Sequence, residues 1–496
     1  MYLDKLIEPL AEKRVLGSGN PDIQGIAYDS RQVVPDSVFV CIRGGRFDGH
    51  EFIEEALSKG ASVILTDDPD MASLKAPNTL LVSVPDTRVA LPVIAAEFYG
   101  HPSRRLILAG VTGTKGKTTT TYLMESIFRS AGHKTGVIGT LGVKIGDESS
   151  KVNNTTPESL DLQSTFSRML ERGVTAAVME VSSIALVKGR TDECEFDVGI
   201  FTNLTQDHLD FHNTLDEYFK AKLLFFQELP ARSTKNFIGV INADDALADE
   251  VIRVTHGETI TFGIQNKADI VAENIVMGST GSEFDVRGCG QEFHVSLKLG
   301  GIFNVSNALA AIGCALALGL SVDSIVSGLE AVSLVPGRFV QVQCGQDFGV
   351  VIDYAHSPDS LANILKAARD LTKNRLIVVF GCGGDRDRGK RPIMGRIGAE
   401  LADISIITSD NPRTEDPASI IKDILAGIDL EKADVESLID RREAILRALE
   451  TAETGDVVVI AGKGHENYQI FKDCTIHFDD REVVEEGLQK LERISG

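Results

Sequence analysis

The segment Leu106-Ile-Leu-Ala-Gly-Val-Thr-Gly-Thr-Lys-Gly-Lys-Thr-Thr-Thr-Thr121 concentrates more potential chemistry than any other part of the chain. It reads as a short apolar strand, a Gly/Thr loop, and the first turn of a helix beginning near Lys117. Such a loop turns successive backbone N–H groups toward one point and sets a helix N-terminus behind them, which suits phosphate oxygens. Lys117 is placed to reach the outer phosphates, and the Thr118 hydroxyl to hold Mg²⁺. The spacing departs from the strict G-x-x-x-x-G-K-[ST] pattern: Val111 stands where the first glycine belongs, and Gly110 comes one residue early. A bound nucleoside triphosphate is expected.

Further candidates lie at the ends of apolar runs. Thr175-Ala-Ala-Val-Met-Glu180 ends in a carboxylate, followed by Val-Ser-Ser183. An acid at a strand end downstream of a phosphate loop is the usual second Mg²⁺ ligand. The next run leads into Asn203-Leu-Thr-Gln-Asp-His-Leu-Asp-Phe-His212. His208 and His212 have zinc-like i, i+4 spacing, but no cysteine or HExxH context accompanies them, so a histidine on Mg²⁺ is the better reading. Tyr218–Phe226 reads as an amphipathic helix, and pattern alone makes Lys222 a solvated surface residue. Asn304 and Asn307, after Gly300-Gly301, are either helix caps or nucleotide contacts. Three later strand ends carry Gly381-Cys-Gly-Gly-Asp-Arg386, Asp410-Asn-Pro-Arg413 and Gly462-Lys-Gly-His-Glu466. Arg, Arg and Glu on one sheet edge would make a pocket for a zwitterionic small molecule. Asp353-Tyr-Ala-His356 joins them at a fourth strand end.

Positioning these groups requires several domains, since 496 residues exceed one core. Three α/β blocks can be read. The first, residues 1–103, holds strand-like runs at 37–42, 61–66 and 79–84 with a helix at 49–59. The second, 104–333, opens with the phosphate loop, continues through strands at 175–180, 197–202 and 237–242, and closes with an alanine-rich helix at 304–319. The third, 334–496, alternates strands at 349–353, 375–380, 404–408 and 456–461 with helices. Alternation of this kind predicts mostly parallel, helix-covered sheets. No run of about 18 apolar residues occurs, so no membrane span is expected. The N-terminus lacks a signal-peptide pattern, and the seven scattered cysteines suit a reducing cytoplasm. A net charge of −22 disfavours nucleic acid and anionic membranes as partners.

One family carries these motifs in this order. Tyr28-Asp-Ser-Arg31, Gly113–Thr119, Asn154-Thr-Thr-Pro157, Met179–Ser183, Thr202-Asn-Leu204, Asp207–Asp210, Tyr218…Lys222, Gly301…Asn304, Pro336-Gly-Arg338 and the four strand-end segments above resemble the Mur ligases, ATP-dependent amino-acid ligases of peptidoglycan precursor synthesis, over essentially the full chain. Within them the chain is most similar to the MurE type, which forms UDP-N-acetylmuramoyl-tripeptide. The resemblance implies an N-terminal α/β UDP-binding domain, a central P-loop mononucleotide-binding α/β domain and a C-terminal Rossmann-like α/β domain that binds the amino acid. It implies that Ser30, Asn154, Thr155, Thr156, Ser182, Lys188 and Arg190 bind the UDP-sugar dipeptide. ATP would meet Gly113, Thr114, Lys115, Gly116, Lys117, Thr118, Thr119, Asn304, Arg338, Asp353 and His356. The amino acid would meet Arg386, Asp410, Asn411, Pro412, Arg413, Gly462 and Glu466.

The resemblance also reverses the pattern reading of Lys222. In the family this lysine is carbamylated, and the carbamate would share Mg²⁺ with Thr118, Glu180 and His208. Lys117, Lys222, Glu180 and His208 form the implied catalytic set. The chain departs from the family at Ile184, where histidine is usual, at Lys115, often Asn, and at Lys188, often glutamine. The implied reaction joins meso-2,6-diaminopimelate to UDP-MurNAc-L-Ala-D-Glu at the expense of ATP, in the cytoplasm, by a monomer. Arg413 favours diaminopimelate over L-lysine or another diamino acid. A folylpolyglutamate-synthase-like ligase and a noncatalytic nucleotide-dependent regulator of the cell wall are the competing readings.

Overall fold

A computed structural model describes residues 1–44, 47–152, 154–208, 211–278 and 281–495. Leu209 and Asp210 of the Asp207–Asp210 motif lie outside the described residues. Three sheets organise the chain. The first has the strand order Arg14–Leu16, Leu80–Ser83, Ala61–Thr66, Ser37–Val40, Gly25–Ala27, parallel except for its first member. Period-2 alternation sorts its side chains to two faces. Val38, Val40, Val63 and Leu65 pack with the helix Thr87–Tyr99, whereas Phe39 and Ile64 face Ile53 and Ala56.

The central sheet has eleven strands. Its parallel heart runs Thr135–Gly139, Ala176–Glu180, Ile107–Thr112, Val198–Phe201, Ile238–Asn242, Glu258–Gly263 and Ile270–Met277. The expectation of mostly parallel sheets holds through this centre, and antiparallel strands extend both edges. Gly142–Ile145 and Glu148–Ser150 extend one side antiparallel, and Ser282–Gly288 with Gln291–Leu297 extend the other. The pair Ser282–Gly288 and Gln291–Leu297 buries one face only: Phe284, Val286, Val295 and Leu297 point inward while their neighbours are mostly exposed or half-buried. Such alternation belongs to antiparallel edges, not to strands covered on both faces.

The alanine-rich helix, expected at 304–319, spans Ile302–Ala317. Its small side chains let it lie close on the sheet, and a Cβ at Gly313 would sit 2.7 Å from Val240. The third sheet runs Val340–Gln341, Gly349–Asp353, Val457–Ala461, Leu376–Phe380, Ile404–Ile407, Asp434–Ser437, with only the first strand antiparallel. A two-stranded ribbon, Tyr468–Ile470 with Thr475–His477, follows. Both large sheets therefore present neighbouring strand ends on one edge, where ligands of open α/β sheets collect.

Candidate active site

The phosphate loop joins the strand Ile107–Thr112 to the helix Lys117–Ser130. Gly113, at φ 145°, leaves no room for a side chain, since a Cβ there would overlap Thr202 Oγ1. The helix begins at Gly116 with no side chain capping it, so its first N–H groups are left for an anion. The neighbouring strand end braces the loop: Lys115 N donates to Asn203 Oδ1 at 2.9 Å, and Thr202 Oγ1 donates to the Lys115 carbonyl at 2.6 Å. Lys117 curls back so that Nζ donates to the carbonyls of Gly113 at 2.9 Å and Thr114 at 3.0 Å. Burial lowers its pKa, against the pull of Glu180 and Asp207. Asn304 and Asn307, hydrogen-bonded to each other, are buried beneath Gly116.

Glu180 sits fully buried at the end of the next strand. Its Oε1 accepts from Thr118 Oγ1 at 2.9 Å and from Thr140 N at 3.0 Å, and its Oε2 from Thr140 Oγ1 at 3.0 Å. Thr118 and Glu180, one hydrogen bond apart beside the loop, offer the hard oxygen donors that Mg²⁺ takes. Thr140 was not foreseen; only its place one residue past Gly139, the end of an adjacent strand, could have singled it out.

Lys222 corrects the surface reading. It is 1% exposed, its Nζ donates to the Gly113 carbonyl at 2.9 Å, and it lies 4.4 Å from the Tyr218 ring centroid. Its helix, Leu215–Arg232, buries Tyr218, Lys222, Phe225 and Leu229, a stripe at i, i+4, i+7 and i+11 with the lysine in its middle. Burial, with Lys117 nearby, drives the Lys222 pKa well below that of a free lysine. Desolvation thus disfavours the ammonium form and favours the neutral amine.

The histidine pair is split. His212 is buried with Nε2 2.8 Å from Ser183 Oγ, while His208 is exposed at φ 54° with its ring 6.0 Å from Tyr218. Among the described residues no group of three His, Cys, Asp or Glu converges to hold a metal.

The third sheet closes over this loop. Arg338 Nη2 donates to Thr118 Oγ1 at 3.2 Å, and its guanidinium lies 4.9 Å from the Tyr354 ring centroid. Asp353 Oδ2 accepts from Phe339 N, and His356 Nδ1 meets the Tyr354 carbonyl at 2.8 Å. Burial and Lys390 push His356 down to about 4, so it is neutral at pH 7. Lys115 crosses between domains: its Nζ donates to Ser357 Oγ at 2.6 Å and pairs with Asp207 at 3.4 Å. Burial alone would raise the Asp207 carboxyl, but Lys115, His208, His356 and Lys117 together hold it well below the usual range. Lys115→Ala should therefore loosen closure, raising KM for ATP about three- to tenfold with kcat little changed, consistent with one charged hydrogen bond. Steady-state kinetics at varied ATP check this, and an unchanged KM would contradict it.

Of the residues that the resemblance assigns to the UDP-sugar dipeptide, Thr155, Thr156, Ser182 and Arg190 lie around the Glu180 strand end. Thr156 Oγ1 donates to the Glu180 carbonyl at 2.9 Å and accepts from Ser182 N at 3.0 Å. Arg190 donates to the Thr156 carbonyl at 3.0 Å and pairs with Glu158 at 2.7 Å. Thr155 Oγ1 is 3.2 Å from Thr140 Oγ1; Asn154 is exposed, and Lys188 lies 5.7 Å from the Phe211 ring centroid. Ser30, in the first sheet's domain, donates to Glu55 at 2.9 Å. Tyr28 ties that domain to the central one through Asp161 at 2.7 Å.

The far strand ends form a second polar centre. Arg413, at φ 54°, donates through Nη1 to the Gly384 carbonyl at 2.8 Å. Asn411 Nδ2 donates to Glu466 Oε2 at 2.8 Å, linking two loops. Asp410 lies against Gly462, where a Cβ would come 2.6 Å from its Oδ2. Pro412 caps the turn between Asn411 and Arg413, and its carbonyl abuts Gly384. Arg386 is exposed on the loop after Phe380. Behind them Arg441, fully buried, pairs with Asp480 at 2.7 Å and donates to the carbonyls of Ala461 and Ser409, fixing both strand ends. Arg441 carries no motif signature, and sequence reasoning passed over it.

Residues 22–99 match the family described as Mur ligase family, catalytic domain; residues 111–315 match the Mur ligase middle domain; residues 337–464 match the Mur ligase, glutamate ligase domain. The chain is 48% identical over 494 residues to UDP-N-acetylmuramoyl-L-alanyl-D-glutamate–2,6-diaminopimelate ligase 1 of Clostridium acetobutylicum, covering 99% of this chain and 100% of that one. It is 48% identical over 486 residues to the ligase of the same name from Geobacillus thermodenitrificans, covering 98% of each. A solved UDP-N-acetylmuramoyl-L-alanyl-D-glutamate–2,6-diaminopimelate ligase superposes with a TM-score of 0.70 at 32% identity, covering 99% of both chains. MurF from Thermotoga maritima in complex with ADP shares the fold at a TM-score of 0.66 and 20% identity, covering 94% of this chain and 98% of that one.

Proposed function

The chain belongs to the Mur ligase family, and from that premise we propose that it joins meso-2,6-diaminopimelate to UDP-N-acetylmuramoyl-L-alanyl-D-glutamate with conversion of ATP to ADP and phosphate. The observation that carries the choice of amino acid is the pairing of Arg413 and Glu466 on neighbouring loops, linked through Asn411. A guanidinium matches a carboxylate bidentately, and a carboxylate takes an ammonium. Diaminopimelate has both at its distal end; lysine has only the ammonium.

The chemistry follows from the positions of the chain's own groups. The glutamyl carboxylate of the substrate attacks the γ-phosphorus of ATP, forming an acyl phosphate as the β,γ-bridging oxygen leaves with ADP. Lys117 and the first N–H groups of its helix stabilise the charge spread over the transferring phosphoryl group. Mg²⁺, when bound, would neutralise charge on the phosphates, and Thr118, Glu180, His208 and a carbamylated Lys222 are the residues that would hold it. The free amine of diaminopimelate then attacks the acyl carbon, and inorganic phosphate departs with the amide bond formed. Arg338, Lys115 and Ser357 tie the third domain over the loop and keep water from the acyl phosphate. Ser30, Asn154, Thr155, Thr156, Ser182, Lys188 and Arg190 bind the nucleotide-sugar dipeptide, and Arg386, Asp410, Asn411, Pro412, Arg413, Gly462 and Glu466 the amino acid. We place the domain boundaries at 103/104 and 333/334, the reaction in the cytoplasm, and the enzyme as a monomer with no nucleic-acid or membrane partner.

Phosphate release tests this reading: it should require the nucleotide-sugar dipeptide and diaminopimelate together. Arg413→Ala should lose about 2–5 kcal/mol toward diaminopimelate, roughly 30-fold or more in kcat/KM, because the distal carboxylate is left buried without its partner. Efficient addition of lysine by the wild type, or indifference to Arg413→Ala, would show the pocket to be misread.

A further inference from the structure

We propose that Lys463 sets the selectivity of the amino-acid pocket, by pairing with Glu466 from inside so that a bare ammonium is not accepted there. This rests on the diaminopimelate reading. Lys463 is completely buried, an unusual place for a lysine, which is seldom found there unless paired. Its Nζ lies 3.1 Å from Glu466 Oε2 and 3.4 Å from Asn411 Oδ1, and 5.3 Å from the Tyr468 ring centroid. The same Oε2 accepts from Asn411 Nδ2, while Asn411 Oδ1 also accepts from Ile470 N at 3.0 Å. One buried cation thus joins both loops that carry the candidate amino-acid residues.

Charge balance follows from this arrangement. Glu466 is matched by Lys463 before any ligand arrives. Asp410 faces the buried Arg441, itself paired with Asp480. Among the described residues no carboxylate forms an ion pair with Arg413, whose Nη1 donates to a backbone carbonyl instead. Lys463 is thus committed to Glu466 and Arg441 to Asp480, which leaves Arg413 facing a backbone carbonyl. A distal end carrying ammonium and carboxylate adds no net charge and supplies Arg413 with its partner. A bare ammonium supplies no carboxylate to Arg413 and meets a Glu466 already paired with the Lys463 ammonium. Rejection of lysine thus has an attractive element missing, at Arg413, and a repulsive element present, at Lys463.

The test compares kcat/KM for meso-diaminopimelate and for L-lysine in the wild type, Lys463→Met and Lys463→Arg. The wild-type preference tests the reading of the substrate. The change in preference tests Lys463. In Lys463→Met the uncovered Glu466 should take a bare ammonium, so that the diaminopimelate-to-lysine ratio falls about tenfold or more, through KM for the two amino acids and not through kcat. KM for ATP should stay unchanged, and Lys463→Arg should keep the wild-type ratio. Adding Glu466→Gln to Lys463→Met should abolish the gain toward lysine. If Lys463→Met does not fold, Lys463→Gln removes the charge, keeps a donor for Asn411, and carries the same expectation. Equal losses toward both amino acids, or a fall in kcat alone, would reduce Lys463 to a structural residue and overturn the proposal.

Discussion

Lys117→Ala is expected to lose ligation by about three orders of magnitude while the fold survives. The side chain does little for stability that alanine would remove, since it contacts two loop carbonyls that can also face solvent or substrate. Its value lies in direction. Those carbonyls hold Nζ in the concavity of the loop, in front of a helix whose first N–H groups are uncapped. The other loop lysine cannot replace it, because Lys115 is committed to Asp207 and to Ser357 of the third domain. Burial lowers the Lys117 pKa, and Glu180 and Asp207 oppose that shift, so transferred phosphate finds a desolvated cation whose attraction is not spent on water. Single-turnover ADP formation with saturating ATP separates this from weakened binding. Equal rates in wild type and variant would remove the loop from the chemistry.

The parts of this architecture that were legible in the sequence are those where local pattern and function coincide. Gly113 to Thr118 announces itself because a phosphate loop needs particular residue types at fixed offsets, and the structure sets it between Glu180 and Asn203 as strand-end logic requires. The Arg413 and Glu466 loops were readable for the same reason, as glycine-rich turns after apolar runs. What escaped was long-range. Ser357 lies 242 residues from Lys115, and nothing local in either segment records that they meet. Arg441 supports two loops through backbone carbonyls, an interaction that leaves no trace in side-chain spacing. The antiparallel edges went unread because strands with one solvated face carry many polar residues, as Ser282–Gly288 does. The zinc-like spacing of His208 and His212 misleads for the opposite reason: a local coincidence places one ring outside and the other against Ser183. Pattern alone places Lys222 on the surface because it goes by residue type, although the helical phase sets the lysine within an apolar stripe; the family resemblance reverses that reading.

Lys222→Ala is expected to be nearly inactive, about a thousandfold down, and to recover part of its activity with acetate or formate. The amine is buried with one carbonyl acceptor and an aromatic face, and no carboxylate pairs with it in the described structure. A protonated lysine would be unstable there, and its strongly lowered pKa expresses that. A neutral buried amine is the form that attacks carbon dioxide: the nitrogen lone pair bonds to carbon, one C=O π pair moves to oxygen, and the nitrogen proton leaves. The product is an anion near Lys117, the group whose positive charge disfavours the protonated amine. Modification would thus turn a buried amine into an anionic oxygen donor beside the Thr118 and Glu180 oxygens, the donor type a hard divalent ion takes. Alanine leaves a space open to a small carboxylate, which carries the same oxygen pair without the covalent tether, hence partial recovery. Intact-mass measurement under bicarbonate should show the addition in the wild type and not in the variant. Activity should fall when carbon dioxide is stripped from the buffer and return when it is restored. Full activity of Lys222→Ala without any added acid would leave the buried lysine a packing element and remove the carbamate from the mechanism.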